Sequence, residues 1–217
     1  RLEKEFGKRR AELQVQINEV NLNKVLTQAN KAIEDAQHVQ RIEDLTSALS
    51  LDRNSNEYID AQINNQRQYI SSMRGILEDL RAQDLVDPND ELKRRIRSLE
   101  ETILSAEVTV KDLKLQRIVG YQDDFQRFGL QQEVDYMRAQ VELGSTDSDH
   151  PALRRIRLQQ QSDRRTEIDS IMADLRAEMA DETDEEILNA YERELLQLER
   201  DSLRTQLSML EEMRGEG

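Results

Sequence analysis

The chain has 217 residues, 35% charged and only 4% aromatic, with seven Gly, two Pro, no Trp, no Cys and a formal net charge of −14. That balance excludes disulfides and cysteine chemistry and makes nonspecific nucleic-acid binding an unexpected role. It suits long helices with solvated charged faces and a narrow apolar seam, and the periodicity of the apolar residues argues against disorder, the competing reading of high charge.

No apolar run approaches the ~20 residues that span a bilayer, and the first residues are not a signal peptide. The chain opens at "RLEKEFGKRR" without Met, so it reads as a piece of something longer, with any membrane segment outside it.

The first helix is expected over about 2–49. Leu13, Ile17, Val20, Ala29, Ile33 and Ala36 have helical spacing, diluted by Asn18, Asn21, Asn23 and Asn30. The second, about 56–83, is the most regular. Ile59, Ile63, Gln66, Ile70, Met73, Leu77 and Leu80 alternate steps of four and three, the period of a coiled-coil seam. Asn54 is the expected cap, with Glu57 three residues on, and Pro88 ends the segment.

The third helix, about 88–143, is expected to be capped by Asp87 with Pro88 in its first position. Leu92, Ile96, Leu99, Ile103, Ala106, Val110 and Leu113 form its seam. The pattern then loses phase through "RIVGYQDDFQRFGLQQ", where Tyr121, Phe125 and Phe128 cluster between Gly120 and Gly129. This reads as a stutter or kink near a helix tip, or a satellite apolar patch where the bundle ends; a ligand pocket is the sharper alternative.

The fourth helix, about 151–213, carries Leu153, Ile156, Ile168, Ile171, Leu175 and Met179 around the polar stretch "QQQSDRR". A break near 181–186 is one option, with Thr183 and Glu186 as a capping box. Leu188, Tyr191, Leu195 and Leu198 continue the seam, and Leu203, Leu207 and Leu210 follow in shifted phase.

The expected fold class is therefore all-α: long antiparallel helical hairpins making one elongated coiled-coil rod or bundle over 1–217. The tetrapeptide Arg-Arg-Ile-Arg follows a proline-bearing turn twice, at Arg94–Arg97 and Arg154–Arg157. These read as equivalent turns of successive hairpins, with Ile96 and Ile156 in the seam and arginines reaching acidic residues of a neighbouring helix. An anion-binding site is the alternative. Hairpin geometry also places Leu80 near Leu92 or Ile96, and Val141 near Leu153 or Ile156.

Neither His38 nor His150 has a His or Cys companion at metal-ligand spacing, and no phosphate loop, nucleophile elbow or dinucleotide fingerprint occurs. No catalytic, cofactor-binding or metal residue is assigned, and the chain is not expected to be an enzyme. His150 reads as a turn residue and His38 as a solvated or seam-edge one. The acidic run Asp181–Glu186 reads as a complement to a helix N-terminus, with weak divalent-cation binding as the alternative.

The stretch "GSTDSDHPALRRIRLQQQSDRRTEIDSIMADL", with His150 and Pro151 at its turn, and the closing "LNAYERELLQLERDSLRTQLSMLEE" resemble the coiled-coil region of chain-length determinant proteins. These polysaccharide co-polymerases include forms fused to bacterial tyrosine autokinases. The resemblance covers about half of the chain; the family's transmembrane helices, membrane-proximal α/β domain and kinase motifs are not in it. It implies an extracytoplasmic rod that organises a surface-polysaccharide export or chain-length assembly. The alternative is a cytoplasmic coiled-coil scaffold recruiting partner helices. Both imply protein partners, a homo-oligomer through coiled-coil seams, no nucleic acid, and membrane contact only through segments outside this chain.

Overall fold

The structure, a computed structural model, describes residues 2–147 and 150–214. It is all-α, with helices α1 (Leu2–Ser50), α2 (Asn56–Val86), α3 (Asp90–Leu143), α4 (Pro151–Ala180) and α5 (Glu185–Arg214) and no strand among the described residues. The breaks fall close to where the sequence puts them, and the optional one in the last segment is real.

The capping chemistry differs by a residue or two from expectation. Ser55, not Asn54, caps α2 by accepting a hydrogen bond from the Tyr58 amide at 3.2 Å. The Asn54 amide is instead drawn into the turn by Asp52 Oδ1 at 3.0 Å. Asp87 closes α2 instead of opening α3. Asn89 opens α3, its Oδ1 accepting from the Glu91 amide at 2.7 Å. Asp184, not Thr183, caps α5, accepting from the Glu186 and Ile187 amides at 2.9 and 3.3 Å. In each case a short side chain at the position before the first turn reaches an orphan N–H, which a residue one or two places further back does not. His150 is the cap of α4, its Nδ1 accepting from the Ala152 amide at 3.3 Å while Pro151 opens the helix.

At the end of α3 the Ser145 amide donates to the Gln140 carbonyl and the Gly144 amide to that of Val141, both at 3.1 Å. This is a Schellman close, and it needs the left-handed φ of +60° that Gly144 supplies.

The sequence draws no boundary inside 1–217, but the contacts divide the chain into two units, Arg1–Asp112 and Leu113–Gly217. The division falls inside α3, where no loop or composition shift marks it. In the first unit α1, α2 and the first half of α3 share one core. Ala29 and Ile33 come from α1, Tyr69, Ile70, Met73, Leu77 and Leu80 from α2, and Leu92, Ile96, Leu99, Ile103 and Ala106 from α3. Arg74 pairs with Glu107 and Arg81 with Glu100, one register seven residues apart on each helix in opposite directions. The α2–α3 hairpin is thus antiparallel, and Leu80, Leu92 and Ile96 do lie in one cluster.

In the second unit, α3 from residue 113 packs with α4 and α5 around Ile118, Tyr121, Phe125, Ile168, Ile171, Met172, Leu175, Ile187, Tyr191 and Leu198. The aromatic stretch is not at a helix tip; it is a stutter in the seam of an unbroken helix. α3 runs through it unbroken, and its out-of-phase residues belong to a second core on a slightly rotated face of the helix. Of the residues expected to meet across the α3–α4 turn, Leu153 is fully buried, while Val141 is 81% exposed and so takes little part in packing there. The Arg157 guanidinium donates to the Tyr136 hydroxyl at 3.0 Å instead, so the inward face at this end of α3 is the one carrying Tyr136.

The two Arg-Arg-Ile-Arg stretches do open successive hairpin arms, but only the second bonds across helices in the expected way. Arg154 and Arg157 both donate to Glu212 of α5, whereas Arg94 donates to the Asp90 carbonyl of its own helix.

Candidate functional site

The second unit concentrates the polar chemistry of the chain. Glu178 of α4 accepts from two phenols: Tyr121 of α3 at 2.7 Å on Oε1 and Tyr191 of α5 at 3.0 Å on Oε2. Arg117 stacks over the Tyr121 ring, 4.2 Å from its centroid, and reaches to 4.0 Å from Glu178. Burial, and then the adjacent Glu178 carboxylate, push both phenols well above the ordinary tyrosine range. This arrangement ties three helices together at one carboxylate, with both phenols held as donors.

Beyond it, where the "QQQSDRR" stretch interrupts the α4 seam, α3, α4 and α5 leave a cleft of about 610 Å³. Its walls include Gln122, Phe125, Tyr136, Arg157, Arg164 and Glu194. Gln132 and Gln160 exchange side-chain amide bonds with each other's carbonyls at 2.8 and 2.6 Å. Arg164 lies 4.8 Å from the Phe125 ring centroid. Glu194 is 6% exposed; Gln122 donates to its Oε2 at 2.7 Å, while its Oε1 is buried and unpartnered. Burial pushes its carboxyl above the ordinary carboxylate range, against the Gln122 bond and with the help of Asp201. The polar break in the seam is thus a polar lining, and the aromatic stretch borders the cleft through Phe125.

Because Glu194 has a raised pKa in the folded state, the fold holds its proton more tightly than the unfolded chain does. Its contribution to stability is therefore lost as pH rises through the carboxylate range and restored as pH falls. Glu194→Gln removes the charge and keeps the shape. It is expected to raise stability at pH 7.5 by about 1 kcal/mol, with the gain shrinking towards pH 4.5. Melting curves of both proteins at the two pH values check this; an equal or reversed difference counts against a strained carboxylate.

The residues singled out for chemistry are not gathered here. His38 is exposed on α1, and the Asp181–Glu186 run surrounds the α4–α5 turn. There Glu182 pairs with Lys114 and Asp184 caps α5, which fits the reading of a complement to a helix N-terminus. Among the described residues, no three His, Cys, Asp or Glu side chains are grouped to hold a metal ion, and no helix is long and apolar enough to cross a membrane.

What the sequence pointed to only as a phase shift is an unpartnered apolar face. On α5 the inward positions turn polar after Leu198, with Ser202 and Thr205 buried. Leu196, Leu203, Leu207 and Leu210 face outward at 66, 60, 60 and 54% exposure. On α1, residues 7–21 are exposed on every side, and Leu13, Ile17 and Val20 form an apolar stripe there. Compared with known proteins, the chain matches no family model, no curated protein and no solved structure.

Proposed function

We infer that this chain is a structural, oligomerising coiled-coil module, whose work is to hold other helices against its outward apolar faces. The observation that carries the reading is the inverted α5, with Ser202 and Thr205 inside and four leucines outside. In water that arrangement leaves apolar area uncovered on one face, and a partner helix is what covers such a face in coiled coils. The solvated start of α1 supports it, since a helical stretch of that length is marginal in water unless something packs on it.

The finer context, an extracytoplasmic region of a surface-polysaccharide export or chain-length assembly, is supported by the resemblance around His150 and Pro151. A cytoplasmic scaffold is the alternative. Sedimentation equilibrium of the whole chain from micromolar to several hundred micromolar tests the module reading, and concentration-dependent association is expected. A monomer over the entire range overturns self-assembly. Fractionation of the source cells separates the two contexts.

A further inference from the structure

The cleft of the second unit is walled by side chains whose open hydrogen-bonding positions are mostly acceptors. Glu194 is the clearest case. It is 6% exposed, its Oε1 is buried without a partner, and its Oε2 accepts from the neutral Gln122 amide. Gln161 is similar: its amide donates to Ser208 Oγ at 2.8 Å, while its Oε1 is buried and unpartnered. Asp201 lines the same wall of α5 seven residues beyond Glu194, its Oδ2 accepting from Gln197 at 3.2 Å. A carboxylate offers about four lone-pair sites, so Asp201 keeps room for further donors. Burying a carboxyl with half of its bonds unmade costs stability, and a cleft that binds a ligand is where a fold carries such a group.

The charges around Glu194 favour a positive ligand. The other titratable groups lining the cleft are Glu133 and Tyr136 of α3, Arg157 and Arg164 of α4, and Asp201. Arg157 is taken up by Glu212 and the Tyr136 hydroxyl. Arg164 lies over the Phe125 ring, its Nε buried and unpartnered. The influences on the Glu194 carboxyl are burial, the Gln122 hydrogen bond and the negative charge of Asp201, and none of the three is a cation. An anion entering the cleft would find Arg164 alone. A cation finds Glu194, Asp201 and Glu133.

The shape narrows the class further. Seven helical residues set Glu194 and Asp201 about 10 Å apart along α5. Gln197 and Leu198 lie between them, and the cleft of about 610 Å³ is large enough for a small extended molecule. A chain of methylenes with an ammonium group near each end suits that wall, with N–H donors for the two carboxylates and for Gln161 Oε1.

We propose that this cleft binds a small linear polyamine, with one ammonium group seated at Glu194 and a second towards Asp201. The site uses the inward side of α5 and does not depend on the module reading, which uses the outward side.

The test follows backbone amide chemical shifts of the full chain during titration with spermidine, with triethylene glycol as an uncharged chain and inorganic phosphate as the anion. Spermidine is expected to shift residues 122–136, 157–164 and 194–201 in a saturable way. Glu194→Gln is expected to raise its dissociation constant at least ~10-fold, through loss of a charge-assisted hydrogen bond. That variant keeps the shape of the site and gains stability near neutral pH, so lost binding there is not lost folding. Glu192→Gln removes the same charge from an exposed position of α5 and is expected to stay within about twofold of the parent. Going from about pH 7.5 to about pH 4.5 is expected to weaken spermidine binding, because protons then compete for the carboxylates, and to weaken it less in Glu194→Gln. Equal affinity in the parent and Glu194→Gln, or an equal loss in Glu192→Gln, overturns the site and leaves only attraction by the chain's overall negative charge. Glycol binding as tight as spermidine binding overturns the cationic class, and tighter binding of phosphate gives the cleft to an anion. No shift with millimolar spermidine overturns the proposal outright.

Discussion

Aspartate at Leu175 is expected to unfold the second unit while the first keeps its structure. Leu175 is fully buried among Ile168, Ile171, Tyr191 and Leu198. An unpaired carboxylate placed there costs about 3–5 kcal/mol, a large share of the stability of an ordinary domain. Aspartate at the neighbouring Ala173, which is exposed, is expected to stay within about 0.5 kcal/mol of the parent. Met73→Asp is the reciprocal experiment, since Met73 is fully buried in the core of the first unit. Hydrogen exchange read by segment distinguishes the outcomes. Leu175→Asp should strip protection from residues 150–214 and spare 56–106, and Met73→Asp should do the reverse. Equal melting of the Leu175 and Ala173 variants refutes the core assignment. Loss of protection everywhere from either core variant shows one cooperative structure where two cores are drawn.

Helices were legible because their signal is local and repeated. The four-three steps of Ile59–Leu80 and Leu92–Leu113 describe one face each, buried except at Gln66, Val110 and Leu113, which are half-buried. Cap identities were less legible, since Asn54 and Ser55, or Thr183 and Asp184, carry the same kind of side chain one residue apart. Which one reaches the orphan amide depends on the path of the turn. The two-unit division could not be read, because α3 crosses it without a break and only its inward face shifts, from Ala106 to Ile118 and Tyr121.

The cleft was half legible. "QQQSDRR" announced a polar gap in one seam, and "GYQDDF" an aromatic cluster in another, but nothing local says that they meet. The same limit hid the link between Tyr121, Glu178 and Tyr191, whose members stand 57 and 13 residues apart. The exposed stripe on α5 was visible as a change of phase. Its outward direction follows from Ser202 and Thr205 lying inside, which a change of phase alone does not specify.

Replacing Glu178 by Ala is the most informative single change at that link. It removes the acceptor of two buried phenols and the carboxylate beside Arg117, where a Tyr121→Phe change removes only one donor and leaves the carboxylate usable. A net hydrogen bond contributes about 1 kcal/mol, and a stranded buried polar group costs about 1–3 kcal/mol. Two stranded hydroxyls would set the upper figure, but Glu178 keeps 36% of its side chain in solvent, so water can replace part of what it supplied. Glu178→Ala is therefore expected to cost about 2–3 kcal/mol against about 1 kcal/mol for Tyr121→Phe. The combined variant should cost less than the sum, because the second change then removes a hydroxyl that has already lost its partner. An alkaline pH series adds an independent readout. The folded chain holds the Tyr121 and Tyr191 protons more tightly than the unfolded chain, so stability is present below the ordinary phenol range and falls as pH rises above it. Tyr121→Phe with Tyr191→Phe should flatten that fall. Strict additivity of Glu178→Ala with Tyr121→Phe, together with an unchanged alkaline slope in the double phenylalanine variant, would show that the carboxylate and the phenols share space without sharing energy.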